Sequence, residues 1–227
     1  MDGLRIHSIF QSLDGEVNTW GQGIPSTFLR LQGCNLKCSY CDIPEAQDPG
    51  GGDEMTVEDV FQNIRTTGCP KITITGGEPL LQAKELHELL ILLFKSSFSV
   101  SIETNGTFSP KVLQLGPPLF PFGYNIHFVM DYKLSSVIHP QGVFMYAENF
   151  QPLDSEDWVK FVIGSREDYE EAKDSIKLLQ GAGCQARIAF SPVHETLLGK
   201  ILAGWILADK LWNVTLNCQI HKWLGLA

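Results

Sequence analysis

Three cysteines directly after an apolar, strand-like run constrain the fold of this 227-residue chain most strongly. Residues 27–32 (TFLRLQ) have the pattern of a buried strand, which ends at Gly33. Cys34, Cys38 and Cys41 follow with the spacing C-x3-C-x2-C. Because an odd number of neighbouring cysteines cannot pair among themselves, the loop favours a metal or a cluster over a disulfide. Three thiolates on a four-iron cluster would leave one iron open to a substrate or cofactor.

Zinc is the alternative metal for this loop. Structural zinc usually has four ligands, often supplied as two C-x2-4-C pairs. The fourth ligand would here have to come from His127, His139 or another distant residue. The remaining cysteines, Cys69, Cys184 and Cys218, are scattered along the chain, and we expect them to be small buried apolar residues.

Composition favours an enzyme that acts on a small molecule. The net charge of −9 argues against a nucleic-acid or anionic membrane partner, since both call for a basic face. The first ten residues lack the apolar core of a secretory signal, and the apolar stretch 89–94 is too short to span a bilayer. Free thiols and clusters persist in reducing compartments, so we expect a cytoplasmic protein.

The order of strand and helix patterns predicts an α/β fold with a mostly parallel sheet. Six core strands are predicted, or seven if the last is counted, and the chain is shorter than the roughly 250 residues of a full eight-stranded barrel. We therefore expect one compact domain built as a partial barrel. The predicted strands cover residues 5–13, 27–32, 71–75, 100–103, 126–130, 158–163, 186–190 and 214–220, and the predicted helices cover 56–67, 83–96, 166–180 and 196–211.

Polar residues cluster directly after the C-terminal ends of the predicted strands. They comprise Gly76, Gly77 and Glu78 after the second core strand, Glu103 to Asn105 at the third, Asp131 to Lys133 at the fourth, and Ser191 after the sixth. Taken singly, Glu103 or Asp131 would more often be a solvated strand end, and Lys133 would more often be a surface lysine. In a parallel barrel, however, this edge is where sites are built, so their placement beside three cysteines predicts one shared site.

The cysteine loop resembles that of the radical S-adenosylmethionine (SAM) superfamily. Tyr40 supplies the aromatic residue inside the motif, and Thr-Gly-Gly-Glu-Pro at residues 75–79 lies where that superfamily has a SAM-binding strand end. The resemblance implies a partial (β/α)6 TIM-type barrel with a [4Fe-4S] cluster on the three cysteines. The open iron would bind SAM, and one electron from a donor such as flavodoxin or ferredoxin would generate a 5′-deoxyadenosyl radical.

A narrower resemblance covers nearly the whole chain. Residues 10–16, 25–34, 40–42, 75–81, 103–106 and 219–222 are similar to the 7-carboxy-7-deazaguanine synthase family of lyases, which act in queuosine biosynthesis for tRNA modification. The implied reaction is a radical ring contraction of 6-carboxy-5,6,7,8-tetrahydropterin with loss of ammonia. A hydrogen atom taken from C6 is later returned, so SAM acts catalytically. The cluster loop also suits a radical SAM activating enzyme that works on a protein partner. Residues 13–16 and 219–222 favour the deazaguanine-forming enzyme over that alternative.

The resemblance also assigns site residues, position by position. Cys34, Cys38 and Cys41 would be the catalytic cluster ligands. The SAM pocket would comprise Tyr40, Asp42, Gly76, Gly77, Glu78, Glu103, Asn105, Asp131, Lys133 and Ser191. The substrate pocket would comprise Leu13, Asp14, Gly15, Glu16, Arg30, Thr75, His221 and Ala227.

Two of these roles have a clear chemical reason. Glu16 would accept hydrogen bonds from the guanidine-like edge of the pterin, and Arg30 would pair with the substrate carboxylate. The resemblance further implies a homodimer and one radical SAM domain over residues 1–227. In that domain the N-terminal segment 1–26 and the C-terminal tail 212–227 would close the site.

Three positions depart from the family pattern. Asp14 replaces a Gln, Val17 replaces a Gly, and Ile43 replaces a Thr whose hydroxyl helps to hold Mg²⁺ in some members. Ile43 has no oxygen, so Mg²⁺ binding here would depend on Asp42, water or the substrate itself.

Overall fold

The computed structural model describes residues 3–113 and 125–226. Its strands are β1 (Gly3–Leu13), β2 (Pro25–Leu31), β3 (Asp53–Thr56), β4 (Lys71–Gly76), β5 (Ser99–Thr104), β6 (Ile126–Tyr132), β7 (Trp158–Ile163), β8 (Arg187–Pro192) and β9 (Val214–Leu216). Its α-helices are α1 (Val57–Thr66), α2 (Ala83–Lys95), α3 (Ser135–Ile138), α4 (Arg166–Gly181), α5 (Gly199–Ala208) and α6 (Ile220–Leu224).

The strands form one sheet in the order β3-β1-β2-β4-β5-β6-β7-β8-β9. From β2 to β9 every neighbouring pair is parallel, whereas β1 runs antiparallel to both β2 and β3. The predicted core of six parallel strands, with a short seventh, is therefore confirmed. Over the described residues the sheet is open, with β3 and β9 at its edges, as a partial barrel requires.

The helices begin where the sequence provides capping residues. The Thr56 side chain accepts a hydrogen bond from the Asp59 backbone N–H at 3.1 Å and caps α1. Ser165 and Asp168 form a reciprocal capping box at the start of α4. Such caps satisfy backbone donors that a helix leaves free at its start.

Two apolar clusters fix the helices against the sheet. One joins β2, β4 and β5 to α1 and α2, with Leu29, Ile74 and Leu86 fully buried. The other joins β6, β7 and β8 to α4 and α5 around Phe161 and Tyr169. Each fully buried Leu or Phe side chain contributes about 1.5–3 kcal/mol. The strands are thus held firmly, and so are the loops at their C-terminal ends.

Two elements differ from the prediction. The exposed, polar strand β3 was not predicted, because it pairs with β1 through backbone groups and not through an apolar face. The last strand is shorter than predicted, because its pairing with β8 ends at the Asn217 N–H, which donates to the Phe190 carbonyl at 2.8 Å. The fully buried Asn217 side chain then accepts from the Val17 N–H at 3.1 Å, so the chain bonds to the loop after β1. The short helix α6 then occupies residues expected to be strand end and tail.

Across residues 3–113 and 125–226, no helix combines the length and the apolar character needed to cross a membrane.

Candidate functional site

A cavity of about 480 Å³ opens at the C-terminal edge of the parallel strands. It is lined from the loops after β2 and β4, from the ends of β5, β6 and β7, and from the tail around α6. The common direction of parallel strands brings these distant segments together. The predicted convergence of the strand ends is therefore observed, as one cavity.

The cysteine loop forms one wall of this cavity. Cys34, Cys38 and Cys41 are free, half-buried thiols that all line it. The loop is held by backbone hydrogen bonds, including that from the Cys34 N–H to the Gln47 carbonyl at 3.1 Å. Burial raises the pKa of the Cys34 and Cys38 thiols. Iron must therefore displace their protons when a cluster forms.

Zinc finds little support in this arrangement. Among the described residues, no three His, Cys, Asp or Glu side chains converge closely enough to hold a single metal ion. His127 lies near the N-terminal end of β6, and its ring packs on Trp20 with 4.9 Å between the centroids. It is thus at the opposite end of the sheet from the cysteine loop.

The glycines after β4 let two loops pack backbone to backbone. Gly76 has a φ of 119°, and a Cβ at Gly77 would lie 2.0 Å from the Gly33 carbonyl oxygen. The Gly77 N–H donates to the Leu31 carbonyl at 2.9 Å. Only glycine allows this approach, so the loop after β4 is fixed directly against the start of the cysteine loop.

Glu78 lies beneath the cavity and does not line it. Its fully buried carboxylate accepts hydrogen bonds from the Leu80 N–H, the Thr104 hydroxyl and the Asn105 N–H. Burial raises its pKa. The geometry gives Glu78 a supporting role, since it holds the segment that carries Asn105 into the cavity.

The residues assigned to SAM gather on the same side as the cysteines. Lys133 Nζ lies 2.6 Å from Asp131 Oδ2 and 5.4 Å from the centre of the Tyr40 ring. All three residues line the cavity with Asp42 and Asn105. Burial opposes the ionised carboxylate of Asp131, yet Lys133 and then Lys160 lower its pKa. Ser191 is buried instead and bonds to Asn217 at 3.3 Å, outside the cavity lining.

Six of the residues assigned to the substrate line the cavity. Leu13, Gly15, Glu16, Arg30, Thr75 and His221 all line it. The Arg30 guanidinium stacks 4.7 Å from the centre of the Phe10 ring, and its buried Nε has no hydrogen-bond partner among the described residues. Burial closes this nitrogen off from the cavity, so a ligand there would have to meet the Nη groups of the guanidinium.

Glu103 was assigned to the SAM pocket, but it also contacts a residue assigned to the substrate pocket. Its carboxylate accepts a hydrogen bond from the Thr75 hydroxyl at 2.9 Å. Burial raises the Glu103 pKa to about 8, in spite of the nearby Lys160 ammonium. A carboxyl group that keeps its proton at neutral pH can donate a hydrogen bond.

Asp14 does not face the cavity. Its side chain is 1% exposed, pairs with Lys71 Nζ at 2.7 Å and accepts from the Thr73 hydroxyl at 3.1 Å. Asp14 therefore links the loop after β1 to strand β4, which contains Lys71 and Thr73. Ala227, also assigned to the substrate, lies outside the described residues.

Among the residues that line the cavity without having been assigned to SAM or substrate are Lys160, Gln219 and Lys222. Gln219 Nε2 donates to Glu16 Oε1 at 2.7 Å, and Lys160 Nζ lies 3.1 Å from Glu16 Oε2. A sequence signal existed for Lys160, because a charge inside the apolar run WVKFVI is unusual for a strand covered on both faces.

The position expected to hold Mg²⁺ has a different chemistry here. Ile43 lines the cavity but has no oxygen, and the Asp42 carboxylate lies 3.6 Å from Lys222 Nζ. Mg²⁺ requires oxygen ligands in near-octahedral order. A hydrocarbon and a carboxylate that already faces an ammonium group do not fit that requirement.

Comparison with known proteins agrees with this geometry. The sequence profile of the Radical SAM superfamily matches residues 29–116, which include the cysteine loop and Asn105. A 7-carboxy-7-deazaguanine synthase from Methanospirillum hungatei is 38% identical over 224 residues, covering 99% of this chain and 86% of the relative. Another, from Clostridium acetobutylicum, is 36% identical over 214 residues, covering 94% of this chain and 92% of the relative.

The fold agrees as well. The crystal structure of QueE from Escherichia coli matches with a TM-score of 0.70 at 22% identity, and the match covers 95% of this chain and 94% of that one. At this identity the likeness bears on the fold alone. The sequence identities over nearly full length carry the conclusion that this chain belongs to the 7-carboxy-7-deazaguanine synthase family of radical SAM enzymes.

Proposed function

We propose that this chain catalyses the ring contraction of 6-carboxy-5,6,7,8-tetrahydropterin to 7-carboxy-7-deazaguanine, with loss of ammonia. Its curated relatives carry the name of that product. The observation that carries the proposal is that Glu16 and Arg30 line the same cavity as the three cysteine thiols. A pterin held by these two side chains would lie beside the cluster and SAM.

As a radical SAM enzyme, the chain uses a [4Fe-4S] cluster and SAM and needs a reductant. Three half-buried thiols fit a cluster with one open iron. The cavity of about 480 Å³ lies within the usual range of ligand pockets. The cluster and SAM, when bound, supply the radical that takes hydrogen from the substrate. We expect flavodoxin or ferredoxin to be the electron donor.

On the SAM side, the protein's part is to bind and orient. We assign Tyr40, Asp131 and Lys133 to this pocket, where the ion pair at 2.6 Å offers both a cationic and an anionic group. SAM carries an amino group and a carboxylate, which match such a pair. Asn105 completes the pocket, and Glu78 acts through it.

On the substrate side, Glu16 and Arg30 have complementary tasks. Glu16 accepts hydrogen bonds from the donor edge of the pterin, and the Arg30 guanidinium, which lines the same cavity, binds the carboxylate. Thr75 and Glu103 line the cavity with these groups and are bonded to each other at 2.9 Å. The protonated Glu103 carboxyl can donate to a substrate oxygen or nitrogen.

Magnesium has no part in this proposal. The Ile43 side chain supplies no ligand, and the Asp42 carboxylate already faces Lys222 Nζ at 3.6 Å. The positive charge beside Asp42 is thus the Lys222 ammonium group and not a Mg²⁺ ion.

Both ends of the chain would enclose the substrate. The Ile220 N–H donates to the Gly15 carbonyl at 3.3 Å, and a Cβ at Gly15 would lie 1.9 Å from His221 Nδ1. These contacts support a single radical SAM domain in which residues 1–26 and 212–227 close the site. Such a closed mouth suits a small molecule better than the protein loop that an activating enzyme would need to admit.

A homodimer is the expected assembly. Trp212 and Trp223 are 77% and 75% exposed, and such surface aromatics are common at protein interfaces. Light scattering of the anaerobic holoenzyme would measure the molar mass directly.

Product analysis tests the proposed function. The chain is reconstituted with iron and sulfide under anaerobic conditions, reduced, and mixed with SAM and the carboxytetrahydropterin. We expect a product with the mass of 7-carboxy-7-deazaguanine. A reduced enzyme that cleaves SAM but forms no deazapurine from this substrate would reject the proposal.

A further inference from the structure

The buried Lys160 lies in the middle of strand β7. Its neighbours along the strand, Val159 and Phe161, are fully buried apolar residues, and Lys160 itself is 8% exposed. Lysine is rarely buried without a partner, because removing its charge from water is costly. Its placement on the cavity wall therefore calls for a functional reason.

The Lys160 ammonium lies between two carboxylates from different parts of the chain. Its Nζ is 3.1 Å from Glu16 Oε2 and 3.1 Å from Asp131 Oδ1. The other Asp131 oxygen is held by Lys133 at 2.6 Å. Burial alone would lower the pKa of Lys160, but the surrounding carboxylates, Asp131 foremost, raise it above its usual value. The group is therefore a fixed positive charge.

Glu16 is oriented by contacts on both of its oxygens. Oε2 is shared by Lys160 and the Asn217 amide, whereas within the described part of the chain Oε1 accepts one hydrogen bond, from Gln219 Nε2 at 2.7 Å. An ionised carboxylate has about four lone-pair sites. Lys160 and Asn217 thus secure one oxygen and leave capacity on the other for a ligand N–H.

We propose that Lys160 is a positioning residue that aligns Glu16 for the pterin and Asp131 for SAM from a single ammonium group. This inference rests on the proposed function, which places the pterin at Glu16 and SAM at Asp131. Without the ammonium, two carboxylates would face each other across a few ångströms of cavity. Both ligand sites would then lose orientation together.

The test uses the reconstituted holoenzyme with Lys160→Met, which keeps most of the side-chain length but removes the charge. We measure the SAM Kd by anaerobic calorimetry without reductant, and the pterin KM in turnover. Both should rise roughly 10- to 100-fold, the range for hydrogen bonds to charged groups. Lys160→Arg should recover part of each loss, because it restores the positive charge.

A double variant separates positioning from damage to the fold. In Glu16→Gln/Lys160→Met the opposing carboxylate is neutral, so SAM affinity should recover relative to Lys160→Met. The pterin KM should stay high, because the acceptor for the pterin is lost. General misfolding would leave SAM affinity as poor as in the single variant, and that result would overturn the proposal.

Lys71→Met is the matched control. Lys71 is also a buried, ion-paired lysine of the same sheet, but it lies outside the cavity lining. The Lys71→Met substitution should lower thermal stability and leave the SAM Kd within about twofold of wild type.

Lys160→Met with a SAM Kd and a pterin KM both within about twofold of wild type would overturn the inference. A wild-type enzyme that makes no deazapurine would instead reject the proposed function, while the SAM Kd would still decide whether Lys160 positions Asp131.

Discussion

Replacing Arg30 with alanine should weaken binding of the pterin carboxylate specifically. In the free protein the buried Nε of Arg30 lacks a partner among the described residues, while the guanidinium is held over the Phe10 ring. The stacked guanidinium is thus already oriented at the cavity wall, where its Nη donors could bind the carboxylate. Charge-assisted hydrogen bonds contribute about 1.5–3 kcal/mol, so the substrate Kd should rise roughly 10- to 150-fold.

The assay is equilibrium binding of the substrate to SAM-loaded holoenzyme without reductant, where no turnover occurs. Arg30→Met separates the lost charge from lost packing on Phe10, because its apolar stem can still cover the ring. Arg30→Lys keeps the charge without the planar fork, and should fall between wild type and alanine.

A ligand control makes this prediction sharper. A tetrahydropterin without the 6-carboxylate should bind wild type and Arg30→Ala alike, within about twofold. An unchanged Kd for the natural substrate would remove Arg30 from the site. An equal loss for both ligands would show that the side chain shapes the pocket without binding the carboxylate.

The remaining predictions concern the cluster, a titratable carboxyl group and magnesium. Cys38→Ala should abolish cluster binding and activity, which iron analysis and a SAM-cleavage assay would measure. Retained SAM cleavage in this variant would contradict the assignment. Burial raises the Glu103 pKa from 4.5 to about 8, so its contribution to stability is present below pH 4.5 and is lost as pH rises through about 8. At about 1.36 kcal/mol per pKa unit, wild type should lose several kcal/mol relative to Glu103→Gln over that range. Urea unfolding from pH 5 to pH 9 measures this, and parallel curves for the two proteins would argue against a buried neutral Glu103. Turnover should persist in EDTA because Ile43 offers Mg²⁺ no ligand, and a strict requirement for added Mg²⁺ would contradict that reading.

The sequence predicted the location of the site better than the orientation of individual side chains. Polar residues after successive parallel strands must meet at one edge, so the cavity with its cysteines, Gly77 and Lys133 could be expected. Which way a side chain turns depends on neighbours that are distant in sequence. Asp14 turns to Lys71, and Glu78 turns to the Thr104 loop, although both lie beside residues that face the cavity.

Other misses have a similar physical origin. Lys160 lies within a strand and not after it, so a search of strand ends passes over it. Gln219 reaches the cavity because the buried Asn217 side chain bonds to the loop after β1 and the Ile220 N–H bonds to the Gly15 carbonyl where α6 begins. Propensity favoured a longer last strand there, and a tertiary contact decided otherwise.

The most direct test of the account is product formation from excess substrate with a limiting amount of SAM. If Glu16 and Arg30 hold the pterin beside the cluster, the hydrogen taken from C6 is returned and each SAM serves many turnovers. Mass spectrometry should therefore find 7-carboxy-7-deazaguanine in molar excess over the SAM supplied. SAM converted fully to 5′-deoxyadenosine without deazapurine, by an enzyme with a complete cluster, would contradict the account.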